Sequence, residues 1–542
     1  MILDQHGPRF TLRVPRGEAD VAVLVREHGL DFSASASTSA EAILWTTEPH
    51  AAVTFIEHAT PAARATLAPL HAEITRSWAP EGRGHYRVPA DRELWPFQRA
   101  SLDYALSRQH ALVGDEPGLG KTPIAITYAN ERGARRVLVL CPANIRLQWV
   151  RRIYEWSTMQ WPFTVHSVLG ARQGIHPAAE WTVISYDLAR TPAMGKLLAQ
   201  GRYDVLILDE AHMLKSMDAQ RTHAVFGGGR LGFPALASCA EHVLALTGTP
   251  LPNRPREAYT LARGLCWDAI DWLSEDRFRE RFNPSELREF TRQDGSTARV
   301  IDERTGRLPE LHNRLRAHLM VRHLKRDVMP QLQMPAYDLV VVQETHAVKA
   351  ALAAESLLDI DPEQLAGADA TVLGHIAVVR QQMGVALAPQ VAEYVAMLLD
   401  GGDDKLVVFA WHIEVLNILE RLLARFRPLR IDGSTTPLQK QTRVELFGSD
   451  PARRVIIGNI QSMGTGTDGL QLVSSHALIA EPSWTPGDNI QAFDRLDRGG
   501  QTRQVQGDIF VAPGSIVEKI LASALRKGHV LHTVLDNPQR GW

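Results

Sequence analysis

The chain has 542 residues, 45% of them hydrophobic and 22% charged, the balance of an ordinary globular protein with room for several domains. A formal net charge of −2 excludes a protein-wide basic field, so any nucleic-acid site must be a local lining. The three cysteines, Cys141, Cys239 and Cys266, form no C-x-x-C pair; they suggest neither a zinc cluster nor a disulfide framework, and they fit reduced thiols in a reducing compartment.

The opening stretch MILDQHGPRFTLRV has no long apolar segment, so no secretory signal is expected. No apolar run is long enough to span a membrane, and no block of Lys and Arg reads as a nuclear address, so the expected location is cytoplasmic. Residues 1–88 carry short alternating patterns such as TLRVP and AAVTFIEH, which predict a small α+β accessory domain. Over 89–265 the texture changes. RVLVLCP, WTVISY, YDVLILDE and HVLALTGTP are short, β-rich and apolar on both faces, as buried parallel strands of an α/β sheet are. Function in such sheets sits at the carboxyl ends of the strands. Residues 266–389 read as a charged, helical insertion with one polar loop or hairpin. Residues 390–542 return to α/β texture in KLVVFAWH, RVIIGNI, HALIAEP and GDIFVAP.

Gly114-Asp-Glu-Pro-Gly-Leu-Gly-Lys-Thr122 follows an apolar strand and precedes a helical stretch. Its end fits the phosphate-loop pattern G-x-x-x-x-G-K-[ST], but Asp115 stands at the first glycine position and Pro117 lies inside the loop. The residues alone leave open a working nucleotide site, a degenerate one, or a Gly-rich turn with no ligand. In a working site, backbone N–H groups at the helix start face phosphates, Lys121 reaches the β- and γ-phosphates, and the Thr122 hydroxyl ligates Mg²⁺. Asp209-Glu-Ala-His212 ends another apolar strand. Phosphoryl transfer needs a carboxylate to hold Mg²⁺ and a group to orient water; Asp209 suits the first role and Glu210 the second. Thr247 and Thr249 are small hydroxyls at a third strand end, suited to a relay. Arg495 and Arg498 are three apart, which puts them on one face if the segment is helical, as a pair of arginine fingers would be; the alternative is a solvated helix with Asp494 and Asp497 as their partners.

In this order the motifs resemble superfamily-two helicases of the DEAH-box kind, and among them the Swi/Snf-type DNA translocase family, over residues 92–512. DEPGLGKT is similar to the family's DEMGLGKT, so Asp115 is a family feature and Pro117 a departure. SWTPG ahead of QAFDRLDRGGQ resembles the annealing-helicase and HepA-like branch. His323 stands where Arg is common, and Thr467-Asp468 is inserted in the fifth motif.

The resemblance implies two RecA-like parallel-sheet lobes with a helical insertion between them, alongside the small N-terminal domain. It implies ATP as substrate and Mg²⁺ as cofactor. It places Gln98 as the adenine reader; Asp115, Glu116, Gly118, Leu119, Gly120, Lys121, Thr122 and Gly466 around the nucleotide; and Gln491 beside Arg495 and Arg498 in catalysis. It gives Arg146, Gln148, Trp149, Ser185, Tyr186, Asp432, Gly433 and Ser434 as contacts to the DNA backbone. The expected activity is that of a DNA-dependent ATPase moving along duplex or branched DNA with little sequence specificity, remodelling DNA or displacing bound proteins. Residues 1–88 or the helical insertion would receive a protein partner. The rivals are a strand-separating DNA helicase, a catalytically silent DNA-binding scaffold and an RNA-directed motor.

Overall fold

The computed structural model describes residues 1–250, 255–291, 297–303, 305–330, 335–356, 370–402, 405–464, 467–483, 486–515 and 518. The chain forms two compact units. The first takes in Met1–Glu116 and Lys121–Leu324; the second runs on from Lys325 and includes the short stretch Pro117–Gly120.

The first unit opens with strands β1 (Ile2–His6), β2 (Arg9–Pro15), β3 (Asp31–Phe32) and β4 (Glu41–Thr46). They form an antiparallel sheet in the order β1-β2-β4-β3. Leu12, Val14, Ala42 and Leu44 are buried, which is the one-sided alternation read from the sequence. The helix Pro61–Arg76 closes over this core with Leu67 and Ile74.

The larger sheet of this unit has seven strands. They are β5 (His110–Val113), β6 (Val137–Cys141), β7 (Val165–Ser167), β8 (Trp181–Ser185), β9 (Tyr203–Asp209) and β10 (Ala240–Leu246), with β13 (Met320–Val321) at one edge. The order is β13-β5-β10-β9-β6-β8-β7 and every pairing is parallel. Two apolar cores lie on its faces. Along β6, Val137, Val139 and Cys141 belong to one and Leu138 and Leu140 to the other; along β9, Val205 and Ile207 alternate with Leu206 and Leu208 in the same way. This is why the strands read as unbroken apolar runs. Because β10 and β9 separate β5 from β6, strand order reverses beside β5, and a crevice is expected at the carboxyl ends there.

The second unit has one six-stranded parallel sheet. Its strands are β14 (Ala336–Val341), β15 (Leu406–Ala410), β16 (Leu429–Ile431), β17 (Val455–Asn459), β18 (His476–Ile479) and β19 (Gln506–Val511), in the order β14-β19-β18-β15-β17-β16. Leu406 and Val408 face one core and Val407 and Phe409 the other, the same two-sided burial.

The segment read as helical is more varied than its composition suggests. It holds an antiparallel hairpin, β11 (Ser285–Thr291) with β12 (Thr297–Glu303), and it supplies β13 to one parallel sheet and β14 to the other. Its last helix, Ala370–Gly401, continues through Pro389.

The helix Leu308–His318 is rich in charged residues, yet Glu310, His312, Arg314 and Arg316 are all buried. Glu310 takes Arg281 at 2.6 Å and Arg314 at 2.9 Å, and Glu48 of the N-terminal module takes both arginines, at 3.0 and 2.6 Å. Asn313 donates to the His50 carbonyl, and Ala317 joins the N-terminal core. Buried charges are tolerated when paired in this way.

Candidate active site

β5 ends at Val113 and the chain enters the Gly114–Gly120 loop, after which the helix Lys121–Glu131 begins. Gly118 at φ +89° and Gly120 at φ +74° take conformations that side-chain-bearing residues resist. Pro117 directly precedes Gly118, the Pro-Gly order suited to a type II turn, so the departure from the family loop fits the backbone. Leu119 is fully buried.

The loop is held from behind. Asp115 is fully buried; one carboxylate oxygen accepts from the His323 backbone N–H at 2.8 Å and lies 2.9 Å from His323 Nδ1, and the other accepts from the Ser101 hydroxyl at 2.9 Å. Burial by itself would raise this carboxyl; the His323 ring and these hydrogen bonds outweigh it and hold it below the usual carboxylate range. Arg322 donates to the carbonyls of Gly114 at 2.6 Å and Gly248 at 3.2 Å, and the Glu116 N–H donates to the His323 carbonyl. The Asp115 carboxylate is therefore engaged by protein groups. Gln98, at the start of the helix Pro96–Leu106, is buried and accepts from the Trp95 N–H at 2.9 Å.

Lys121 Nζ donates to the carbonyls of Asp115 at 2.7 Å and Glu116 at 3.2 Å, so the ammonium lies over the loop. Burial pushes its pKa down, opposed by Glu210, Asp115 and Asp209. Thr122, half-buried, follows it at the helix start. Asp209 closes β9, with β10 between it and β5. Burial and the neighbouring Glu210 charge raise the Asp209 carboxyl to about 6, against the Trp149 hydrogen bond and the Lys121 charge, which favour ionisation. Glu210 has left-handed backbone, φ 49° and ψ 49°, a conformation that costs about 1 kcal/mol or more in a non-glycine residue and is concentrated at functional sites. His212 Nδ1 lies 3.2 Å from Glu210 and 3.0 Å from the Thr247 hydroxyl, which also accepts from the Thr249 N–H. The three strand-end motifs of the first unit thus meet in one place.

The residues expected on the DNA side divide. Trp149, Ser185 and Tyr186 are each 2% exposed. Trp149 Nε1 donates to Asp209 Oδ2 at 2.7 Å, and the Tyr186 hydroxyl donates to the Asp209 carbonyl at 2.8 Å. Ser185 caps the short helix Tyr186–Ala189. These side chains offer no surface to a passing strand. Arg146 and Gln148 are half-buried. In the second unit Asp432 accepts from the Ser434 N–H and hydroxyl and from Arg430 Nε, which leaves Gly433 and Ser434 exposed in a tight turn after β16.

Arg495 and Arg498 do not share a helix face. The helix Pro486–Phe493 ends before them, and they occupy the following turns. Asp494 and Asp497, expected as their alternative partners, instead hold Lys325 Nζ at 2.5 and 2.7 Å as a buried anchor. Arg495 Nε donates to the Gly464 carbonyl at 2.6 Å, and Arg498 Nη1 meets Asp468 at 3.0 Å. The inserted Thr467-Asp468 pair therefore engages the arginine turn. Gln491 is buried on the preceding helix. Gly466 and the Trp484-Thr485 pair of SWTPG lie outside the described residues.

Ser101 and Arg322 drew no sequence-based assignment. The signal for their neighbour His323 was its place where Arg is common; nothing local marked the other two.

A parallel α/β unit with a Lys-Thr phosphate loop at one strand end and an Asp-Glu pair at another is the architecture of a nucleoside-triphosphatase. Residues 97–354 match the SNF2-related domain. The chain is 30% identical over 460 residues to the mouse protein named DNA annealing helicase and endonuclease ZRANB3, covering 82% of this chain and 41% of that one. It is 32% identical over 434 residues to the SWI/SNF-related matrix-associated actin-dependent regulator of chromatin subfamily A-like protein 1 of Xenopus laevis, covering 78% and 42%. Among solved structures it is similar to the Sulfolobus solfataricus SWI2/SNF2 ATPase core in complex with dsDNA, at 17% identity and a TM-score of 0.38, covering 84% of this chain and 99% of that one. Residues 97–354 thus carry an SNF2-related domain, and the chain is similar to these relatives over most of its own length. It spans about two fifths of the length of the curated relatives it matches. Among the described residues no helix is long and apolar enough to cross a membrane.

Proposed function

We propose that this chain couples ATP hydrolysis to movement along duplex DNA, remodelling DNA structures or displacing bound proteins. The observation that carries the reading is the convergence of Lys121, Asp209 and Glu210 at the carboxyl ends of β5 and β9, one strand apart, close enough for their charges to act on one another. Lys121 would shift from the loop carbonyls to phosphate oxygens. Glu210, aimed by its left-handed backbone, would orient the attacking water. Arg495 and Arg498, with Gln491 beside them, would stabilise charge developing on the phosphoryl group. Gln98 would address the adenine, and Gly466 the nucleotide.

The donor set suits Mg²⁺. Asp209 and the Thr122 hydroxyl supply hard oxygen ligands, and no cluster of three or more His, Cys, Asp or Glu is arranged for a metal among the described residues. That agrees with an ion held by one carboxylate, a hydroxyl, water and phosphates. Held by Asp209 and Thr122, Mg²⁺ would supply positive charge to offset that of the phosphates.

The nucleic-acid part rests on the family and on relatives named for DNA annealing. Arg146, Gln148, Gly433 and Ser434 are the expected backbone contacts that reach the surface, and such contacts favour DNA without reading its sequence. The chain is divided as 1–88, 89–265, 266–389 and 390–542 into an accessory domain, an ATP-binding lobe, an insertion and a second lobe; the first and third would choose the substrate or receive a protein partner. The test is the ATPase rate alone and with single-stranded DNA, duplex DNA and RNA, with Lys121→Ala as the blank. Stimulation by duplex that vanishes in the variant supports the reading; no stimulation by any nucleic acid sinks it.

A further inference from the structure

We infer that Trp149 and Tyr186 are positioning residues for Asp209, fixing the carboxylate that holds Mg²⁺ in the reading above, on which this inference rests. Asp209 is held at three atoms. Its Oδ2 accepts from Trp149 Nε1 at 2.7 Å, its Oδ1 from the Glu210 N–H at 2.9 Å, and its carbonyl from the Tyr186 hydroxyl at 2.8 Å. The first two donors address different oxygens, so the carboxylate plane cannot turn without losing one of them. An ionised carboxylate has about four acceptor sites, so each oxygen keeps capacity for a further ligand.

The two side chains come from separate elements. Trp149 lies in the first turn of the helix Arg146–Trp156 after β6, and Tyr186 opens the helix Tyr186–Ala189 after β8. Both are buried among apolar neighbours: Trp149 packs in the core that contains Val139 and Val183, and Tyr186 in the opposite core with Leu140 and Leu208. Packing alone would be served by Phe at either place. What Trp and Tyr add is one donor each, and both donors end on Asp209. The indole N–H can only donate, so it selects an acceptor and fixes the side-chain rotamer. Partners that orient a metal ligand in this way affect metal affinity without touching the metal.

The test uses the full chain with Trp149 replaced by its benzothienyl analogue, which puts sulfur where the N–H was and keeps the ring. Trp149→Phe, Tyr186→Phe and Asp209→Asn accompany it. Binding of a fluorescent non-hydrolysable ATP analogue is measured in EDTA and in Mg²⁺, alongside kcat, KM and the Mg²⁺ concentration for half-maximal hydrolysis. Affinity in EDTA should be unchanged, while the gain on adding Mg²⁺ should fall about tenfold and the half-maximal Mg²⁺ concentration rise by a similar factor. The loss should appear in kcat, with KM at saturating Mg²⁺ little altered. An unaltered Mg²⁺ gain and kcat in the benzothienyl protein would overturn the inference. An unaltered Mg²⁺ gain in Asp209→Asn would overturn the metal-holding reading of Asp209 itself, a separate failure.

Discussion

Asp115 and His323, 208 residues apart, form a buried pair at the base of the phosphate loop, with His323 Nδ1 2.9 Å from the carboxylate. The same histidine touches the Ala79 carbonyl through Nε2 at 2.9 Å, and the Arg322 N–H donates to the Ser77 carbonyl. One short segment thus joins the loop to the end of the N-terminal module. His323→Ala leaves the buried Asp115 carboxylate without its ring hydrogen-bond partner and should cost about 3 kcal/mol. Denaturant unfolding of the first unit measures this. A midpoint like the wild type would show that Ser101 and backbone N–H groups hold Asp115 by themselves.

The contact between the N-terminal module and the helix Leu308–His318 should weaken in acid. His318 Nε2 lies 2.9 Å from His50 Nε2, and burial together with His50 lowers the His318 pKa to about 4. Burial alone would raise Glu48, but the His50 hydrogen bond and the Arg314 charge outweigh it and bring the carboxyl to about 2. Both values lie below those of the unfolded chain, 6.5 and 4.5, so the unfolded chain binds more protons as the pH falls. The His318 contribution is present above 6.5 and lost on the way to 4; the Glu48 contribution is present above 4.5 and lost on the way to 2. Each is worth roughly 1–2 kcal/mol once solvent screening is allowed for. Thermal unfolding between about pH 7 and pH 4.5 should show a falling Tm that His318→Gln makes shallower. An equally steep fall in the variant would place the titrating group elsewhere.

In the second unit, Lys325 is the cation between Asp494 and Asp497. Lys325→Met should destabilise that unit by about 3–5 kcal/mol, because it strands two buried carboxylates. Adding Asp494→Asn and Asp497→Asn should recover much of the loss. The turn carrying Arg495 and Arg498 hangs on the same anchor, so kcat should fall in Lys325→Met and return in the triple variant. Recovery of stability without recovery of kcat would show that the anchor does more than hold the turn.

The strand-end motifs were legible because each apolar run is a strand buried on both faces, and a polar residue at its carboxyl end stands out. Lys121, Asp209 and Glu210 could be read for that reason. The helix Leu308–His318 could not: its charges look solvated until Glu48 and Arg281, far away in sequence, are seen to pair with them. The family resemblance puts Trp149 and Tyr186 on the nucleic-acid side, and only the fold shows that their polar tips turn inward to Asp209. β13 is two residues long, too short for any periodicity. The Lys325 anchor that takes both Asp494 and Asp497 is likewise recorded by no local pattern.

The central claim is movement along an intact duplex, and the most direct measurement is release of a third strand from a triplex placed beside a duplex track. The account predicts ATP-dependent release of the third strand, no separation of the underlying duplex, and no release with Lys121→Ala. Separation of the duplex strands, or retention of the third strand while duplex-stimulated hydrolysis proceeds, would contradict it.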